Sequence, residues 1–139
     1  MGTETVTLTV PAKPEYVGIV RLTASGILSR MRFTAEEIED VKVALSEACT
    51  NAIQYAYTPS AKKNAVVTVT LERKPKSMCI TVVDTGKGFD VENPPRRKLH
   101  DQDIHMGLGL VFMKNLMDSV TITSRKNKGT TVVMTKKIK

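Results

Sequence analysis

Tryptophan is absent from the 139 residues, and three Phe and three Tyr bring the aromatic share to only 4%. A surface that stacks successive nucleobases needs more rings than that. The formal net charge of +7 is therefore not a nucleic-acid signature by itself, and no nucleic-acid-binding motif accompanies it. The better readings of the field are a bound nucleotide, an acidic protein partner or plain solubility. No apolar run approaches the roughly 18 residues that cross a bilayer. Met1 to Val10 also lacks a basic segment leading into a long apolar one, so the expectation is a cytoplasmic protein without a membrane partner. Cys49 and Cys79 are too few for a disulfide framework and read as small buried hydrophobes. His100 and His105 have no thiol neighbours, which leaves no zinc-type cluster.

What is present has ordinary globular proportions, with 41% hydrophobic and 25% charged residues. That composition suits one packed domain spanning residues 1–139. Thr5 to Val10 alternates with period two and predicts a half-buried strand. Pro14 precedes a helix expected over Tyr16 to Met31. Thr34-Ala-Glu-Glu37 has capping-box spacing, and Ile38, Val41, Leu45, Ala48 and Ala52 continue it as an apolar stripe. That helix is expected to end near Tyr57. Ala65–Glu72 and Met78–Asp84 predict one hairpin, and Val120–Arg125 with Thr130–Lys136 a second. Val91 to Met106, with Pro94-Pro95, predicts a mobile loop leading into a helix over Leu108 to Met117. The sum is an α/β sandwich: a mixed, largely antiparallel sheet covered on one face by three helices.

Three motifs carry chemistry, and each is weak alone. Glu47 and Asn51 lie four apart on the capped helix and so share one face. A carboxylate beside an amide suits a magnesium-nucleotide site, with the amide oxygen as hard-cation ligand and the carboxylate as base; two solvated polar residues are the plain alternative. Asp84 ends an apolar strand and precedes Thr85-Gly86-Lys87-Gly88. A carboxylate fixed at such a turn accepts from the exocyclic amine of adenine, where guanine offers a carbonyl. The alternative is an Asp that merely starts a turn. Gly107-Leu108-Gly109 precedes an apolar helix, a favourable location for phosphate oxygens. The usual phosphate loop, Gly-x-x-x-x-Gly-Lys-Ser/Thr, and the motif set of ordinary protein kinases are both missing.

In this order the motifs resemble the asparagine box and two glycine boxes of the superfamily shared by gyrase B, heat-shock 90 chaperones, histidine kinases and MutL. The stretches Val10–Gly18, Glu39–Ile53, Gly107–Leu110 and Leu116–Asp118 further resemble the anti-sigma-B serine kinase family over nearly the whole chain. The resemblance implies a Bergerat-type ATP-binding fold with ATP and Mg2+ as cofactors. It implies Glu47 as general base, Asn51 as magnesium ligand and Asp84 as the adenine-recognising carboxylate. Gly86 and Gly88 shape the adenine pocket, Gly107, Leu108 and Gly109 line the phosphates, and Thr130 supports Asp84. The segment from Val91 to Met106 is then an ATP lid that offers Arg96, Arg97, Lys98 and His105 as candidates to neutralise phosphate, without saying which of them does. Arg21 matches an arginine that contacts protein partners, with a plain solvated helix charge as the alternative.

Tyr55 and Met106 depart from the family pattern, where histidine and glycine are common; Met106 bears on the lid hinge. The implied activity is a homodimeric anti-sigma factor that holds a stress-type sigma factor. It phosphorylates a small antagonist protein on serine, with no direct nucleic-acid contact. The competing readings are a nucleotide-gated binding module without kinase activity, and a stress-module kinase acting on a scaffold protein.

Overall fold

The computed structural model describes residues 2–57, 64–93, 96–99 and 102–139, with the side chains of 96–99 and 102–106 outside the description. Five strands form the main sheet: β1 (Glu4–Pro11), β2 (Val66–Lys74), β3 (Ser77–Asp84), β6 (Ser119–Arg125) and β7 (Gly129–Lys137). They lie in the order β1-β2-β3-β7-β6. Every pairing is antiparallel, so the mixed character expected of the sheet reduces to its antiparallel part. Strict alternation sets the faces. Along β2 and β3, Val67, Val69, Leu71, Met78, Ile80, Val82 and Asp84 are buried while their neighbours are not, as a sheet packed on one side requires.

The buried face carries α1 (Val17–Leu28), α2 (Ala35–Tyr55) and α3 (Met106–Leu116), with α2 in contact with both other helices and with the sheet. The predicted cap of α2 forms in full: Thr34 Oγ1 accepts from the Glu37 N–H (3.1 Å), and Glu37 Oε1 accepts from the Thr34 N–H (2.9 Å). Val41, Leu45, Ala48 and Ala52 are buried as the stripe predicts. Cys49 is buried and Cys79 partly so, both as free thiols. Burial pushes the Cys49 thiol up to about 12.

The differences from expectation have local causes. A 3-10 turn, Pro14–Tyr16, precedes α1, which stops at Leu28. There the Ser29 hydroxyl donates to the Gly26 carbonyl (3.0 Å), and the chain tightens through an Arg30 N–H bond to Ile27 (3.1 Å). The first hairpin runs to a two-residue turn, Pro75–Lys76, since Lys74 still pairs with Ser77. The segment expected as loop contains an antiparallel ribbon, β4 (Arg96–Leu99) with β5 (Gln102–His105); strands of four residues are too short to show a period. Helix α3 begins at Met106, two residues ahead of its predicted start.

One inner-face position of β7 is charged. Lys136 is 7% exposed, and its Nζ donates to the last carbonyl of α3, Leu116 (2.6 Å), with Asp40 Oδ2 of α2 at 3.9 Å. A cation at a helix C-terminus complements its dipole, so this lysine joins two helices to the sheet. Among the described residues no helix is long and apolar enough to cross a membrane.

Candidate nucleotide site

Asp84 closes β3 at the rim of the sheet and is 6% exposed. Its Oδ1 accepts from the Gly86 N–H (3.0 Å), and the carboxylate takes a second backbone N–H from Thr130, its register partner on β7. Burial raises its carboxyl above the usual range, and the two amide donors oppose that rise. A buried carboxylate with lone pairs left over is an acceptor waiting for a donor. It looks into a pocket between α2, β3, β7 and α3, with apolar walls that include Ala52, Val82, Phe89, Leu110 and Val132 and with Asn51 as a further polar group. A flat apolar slot with one fixed acceptor suits a nucleobase.

The glycines are fixed by close approach. A side chain on Gly86 would run into the Ala56 carbonyl at the end of α2, and one on Gly88, whose φ is +65°, into the Arg125 carbonyl. Next to them, Phe89 N–H donates to Ser124 Oγ (2.9 Å), and Ser124 Oγ lies 2.7 Å from Thr130 Oγ1. Thr130 therefore supports Asp84 through its amide, while its hydroxyl is engaged with Ser124.

Beyond Asn51 along α2, towards its N-terminus, α3 abuts α2. A methyl on Gly109 would sit 2.7 Å from Glu47 Oε2 and 3.4 Å from Asn51 Nδ2. Glu47 is half-buried, and burial raises its carboxyl above the usual range. Among the described residues Asn51 Nδ2 is buried without a hydrogen-bond partner, a state that native proteins keep for a reason. The contact at Gly109 gives a direct prediction. Because the obstructing atom is the free end of a side chain, Gly109→Ala costs little stability but displaces the carboxylate. The expected result is a melting temperature within about 3 °C of wild type and phosphotransfer lowered about tenfold or more, as small displacements of reacting groups produce; unchanged turnover would contradict it.

The structure thus brings Glu47, Asn51 and Gly109 together where α2 meets α3, and it gathers Asp84, Gly88 and Thr130 in the pocket wall with Asn51, while Gly86 lies beside Asp84 through its N–H. Gly107 lies in the first turn of α3. Leu108 is 61% exposed and is not part of the pocket wall. Arg21 lies on α1, where its charge acts on Glu39 of α2, and it forms no part of the pocket wall. The phosphate-neutralising roles of Arg96, Arg97, Lys98 and His105 fall on side chains outside the described residues. Sequence reasoning missed Phe89, Leu110, Ile122 and Val132 as pocket walls; for Ile122 and Val132 the signal was their inner-face alternation on β6 and β7. Ser124 carried none.

A carboxylate-tipped slot opening toward a Glu-Asn pair under a glycine-rich helix start defines an ATP site of one class. Residues 10–136 match the profile of the histidine kinase-like ATPase domain, and the chain belongs to that family. Within it, the chain is 45% identical over 138 residues to serine-protein kinase RsbW of Bacillus pumilus, covering 94% of this chain and 84% of that protein. It is 44% identical to the Bacillus subtilis RsbW with the same coverage, and 46% identical over 133 residues to that of Bacillus licheniformis, covering 91% and 81%. Among ATPases of this fold, its branch is that of the serine-protein kinases. The crystal structure of the RsbU and RsbW domains of a Mycobacterium tuberculosis protein superposes with a TM-score of 0.67 at 20% identity, covering 96% of this chain and 32% of that one. The histidine kinase domain of a blue-light activated kinase from Erythrobacter litoralis gives 0.58 at 19% identity, covering 93% and 62%. At such identities these two structures show a shared fold.

Proposed function

We propose that this protein is an anti-sigma factor and ATP-dependent serine kinase. It holds a stress-type sigma factor inactive and phosphorylates that factor's small antagonist protein on serine. The observation that carries the reading is the convergence of Glu47 and Asn51 on Gly109, where an added methyl would meet both side chains, with Asn51 also in the wall of the Asp84 pocket. It sets a base and an amide ligand beside the helix start where a triphosphate ends.

The chemistry follows from the groups present. Asp84 accepts from the adenine amine, and the backbone at Gly107 and Gly109 faces phosphate oxygens at the positive end of α3. The serine oxygen attacks the γ-phosphorus, its proton passes to Glu47, the new O–P bond forms and the bond to the ADP oxygen breaks. Burial makes the ionised Glu47 a stronger base than an exposed glutamate. The orphaned Asn51 amide fits Mg2+: half a turn exchanges Nδ2 for Oδ1, placing a hard oxygen donor at a buried position that has no partner of its own. The ion, when bound, neutralises triphosphate charge.

Phosphoserine brings about two negative charges to the antagonist surface, which expels the antagonist and leaves the kinase free for the sigma factor. Arg21, partly buried on α1, is assigned to partner contact, and a homodimer supplies the composite surface for one sigma factor. The test is transfer from γ-labelled ATP and magnesium into proteins of a host extract. One small protein labelled on serine is expected, and a complete lack of labelling with ATP binding intact removes the kinase half of the reading.

A further inference from the structure

The pairing of β2 with β3 ends at Val67 opposite Asp84. The next pair in that register would be Val66 with Thr85. Counting from the two-residue turn, where Lys74 faces Ser77, Val66 and Thr85 fall on one of the alternate pairs that exchange hydrogen bonds. The bond from Thr85 to Val66 is replaced by a side chain. The Tyr57 hydroxyl donates to the Val66 carbonyl (2.8 Å) and accepts from the Thr85 N–H (3.0 Å). Val66 is no frayed end, since it still pairs with Pro11 of β1. Tyr57 is 8% exposed, lies two residues beyond α2 and is absent from the pocket wall.

A hydroxyl inserted at this rung holds β3 away from β2 at the point where the carboxylate leaves the sheet. Thr85, held by the phenol, is flanked by the two residues that matter: Asp84, and Gly86 whose N–H binds Asp84 Oδ1 at 3.0 Å. The turn is clamped on its far side by the Lys87 N–H donating to the Ala56 carbonyl (2.6 Å). We propose that Tyr57 is a positioning residue for nucleotide selection: its hydroxyl occupies the missing rung and thereby aims the Asp84 carboxylate at the adenine amine without touching the nucleotide. The inference rests on the reading of Asp84 given under the proposed function.

Without the hydroxyl, the Val66 carbonyl and the Thr85 N–H lose the group that bridges them, and the β2–β3 register offers each to the other as the next pair. The ladder zips one rung further, Thr85 moves toward β2, and the carboxylate is re-aimed. Fluorescent ATP and GTP analogues titrated into wild type and Tyr57→Phe read this directly, beside turnover at saturating ATP. The variant is expected to bind ATP about tenfold more weakly, about 1.4 kcal/mol, with GTP affinity changed less than twofold and kcat within about twofold. A preference for ATP over GTP equal to that of wild type overturns the proposal, whether or not the melting temperature falls. Should Tyr57→Phe not fold, 3-fluorotyrosine at position 57 keeps the shape and weakens the hydroxyl as acceptor; a reduced preference supports the proposal and an unchanged one overturns it. A wild-type protein that binds neither nucleotide removes the adenine reading and the proposal together, whereas an unchanged ratio on an ATP-selective wild type removes the proposal alone.

Discussion

Glu47→Gln is expected to lower kcat by about a thousandfold, within the range of 10² to 10⁴ that a positioned general base contributes, while the dissociation constant for ATP moves less than about twofold. Glutamine keeps the shape that meets Gly109 and loses only the ability to take the serine proton. Single-turnover transfer paired with equilibrium ATP binding separates the two quantities. A variant that transfers phosphate at the wild-type rate would falsify the assignment of Glu47 as base. The pH profile checks the same residue independently. The base must be ionised, so activity falls as pH drops through its folded-state pKa, and burial places that acid limb above the ordinary glutamate value. Stability runs the other way. A carboxyl whose pKa is raised by folding binds its proton more readily when folded, so its cost is present at neutral pH and is relieved on acidification. Asp84 shifts in the same direction, so both carboxylates weaken the fold under the conditions in which they are useful.

Gly88→Ala is the substitution with the largest expected effect on stability. The backbone there has φ +65°, and a Cβ would run into the Arg125 carbonyl, a main-chain atom held by the β6–β7 pairing. The left-handed conformation and the overlap each cost about 1–3 kcal/mol. For a chain of this size that lowers the melting temperature by roughly 10 °C, together with loss of ATP binding as the Phe89 side of the pocket shifts. Gly18→Ala is the control: it lies in α1 with open space around the added methyl, and alanine is favoured over glycine in a helix by about 0.5–1 kcal/mol. A thermal melt with and without ATP reads both variants. Equal melting temperatures for the two would mean that Gly88 is a spacer and not a conformational requirement.

The sheet and the long helix were legible because their signals are local and redundant. The capping box at Thr34, the stripe from Val41 to Ala52 and the alternation of Val67, Val69 and Leu71 each state the buried face independently. The ends of the pocket were legible for a different reason: Glu47, Asn51, Asp84 and the glycines are residue types that an apolar pattern does not need, set at its margins. What could not be read is what depends on the third dimension. Leu110 and Val132 look like any core residue until α3 is laid beside β7. Ser124 becomes a support for Phe89 and Thr130 only once β6 pairs with β7. The ribbon of β4 and β5 is too short for a period, and Tyr57 acts through an oxygen at the end of a side chain that any core would bury for its ring alone.

The neighbour of β3 in the sheet is β7, although the chain between Asp84 and Ser119, with the ribbon and α3, intervenes before β6 begins. That stretch is an excursion from a ladder that closes without it, since the Asp84 rim is secured by Thr130 across the register. The penalty for closing a loop grows only logarithmically, about 0.6 kcal/mol for each doubling of length. A change of length between Asp90 and Gln102 therefore costs the ladder little in closure entropy. The ladder thus sets its own closure, and the length of the stretch that leaves it at Asp84 is set by something other than the sheet.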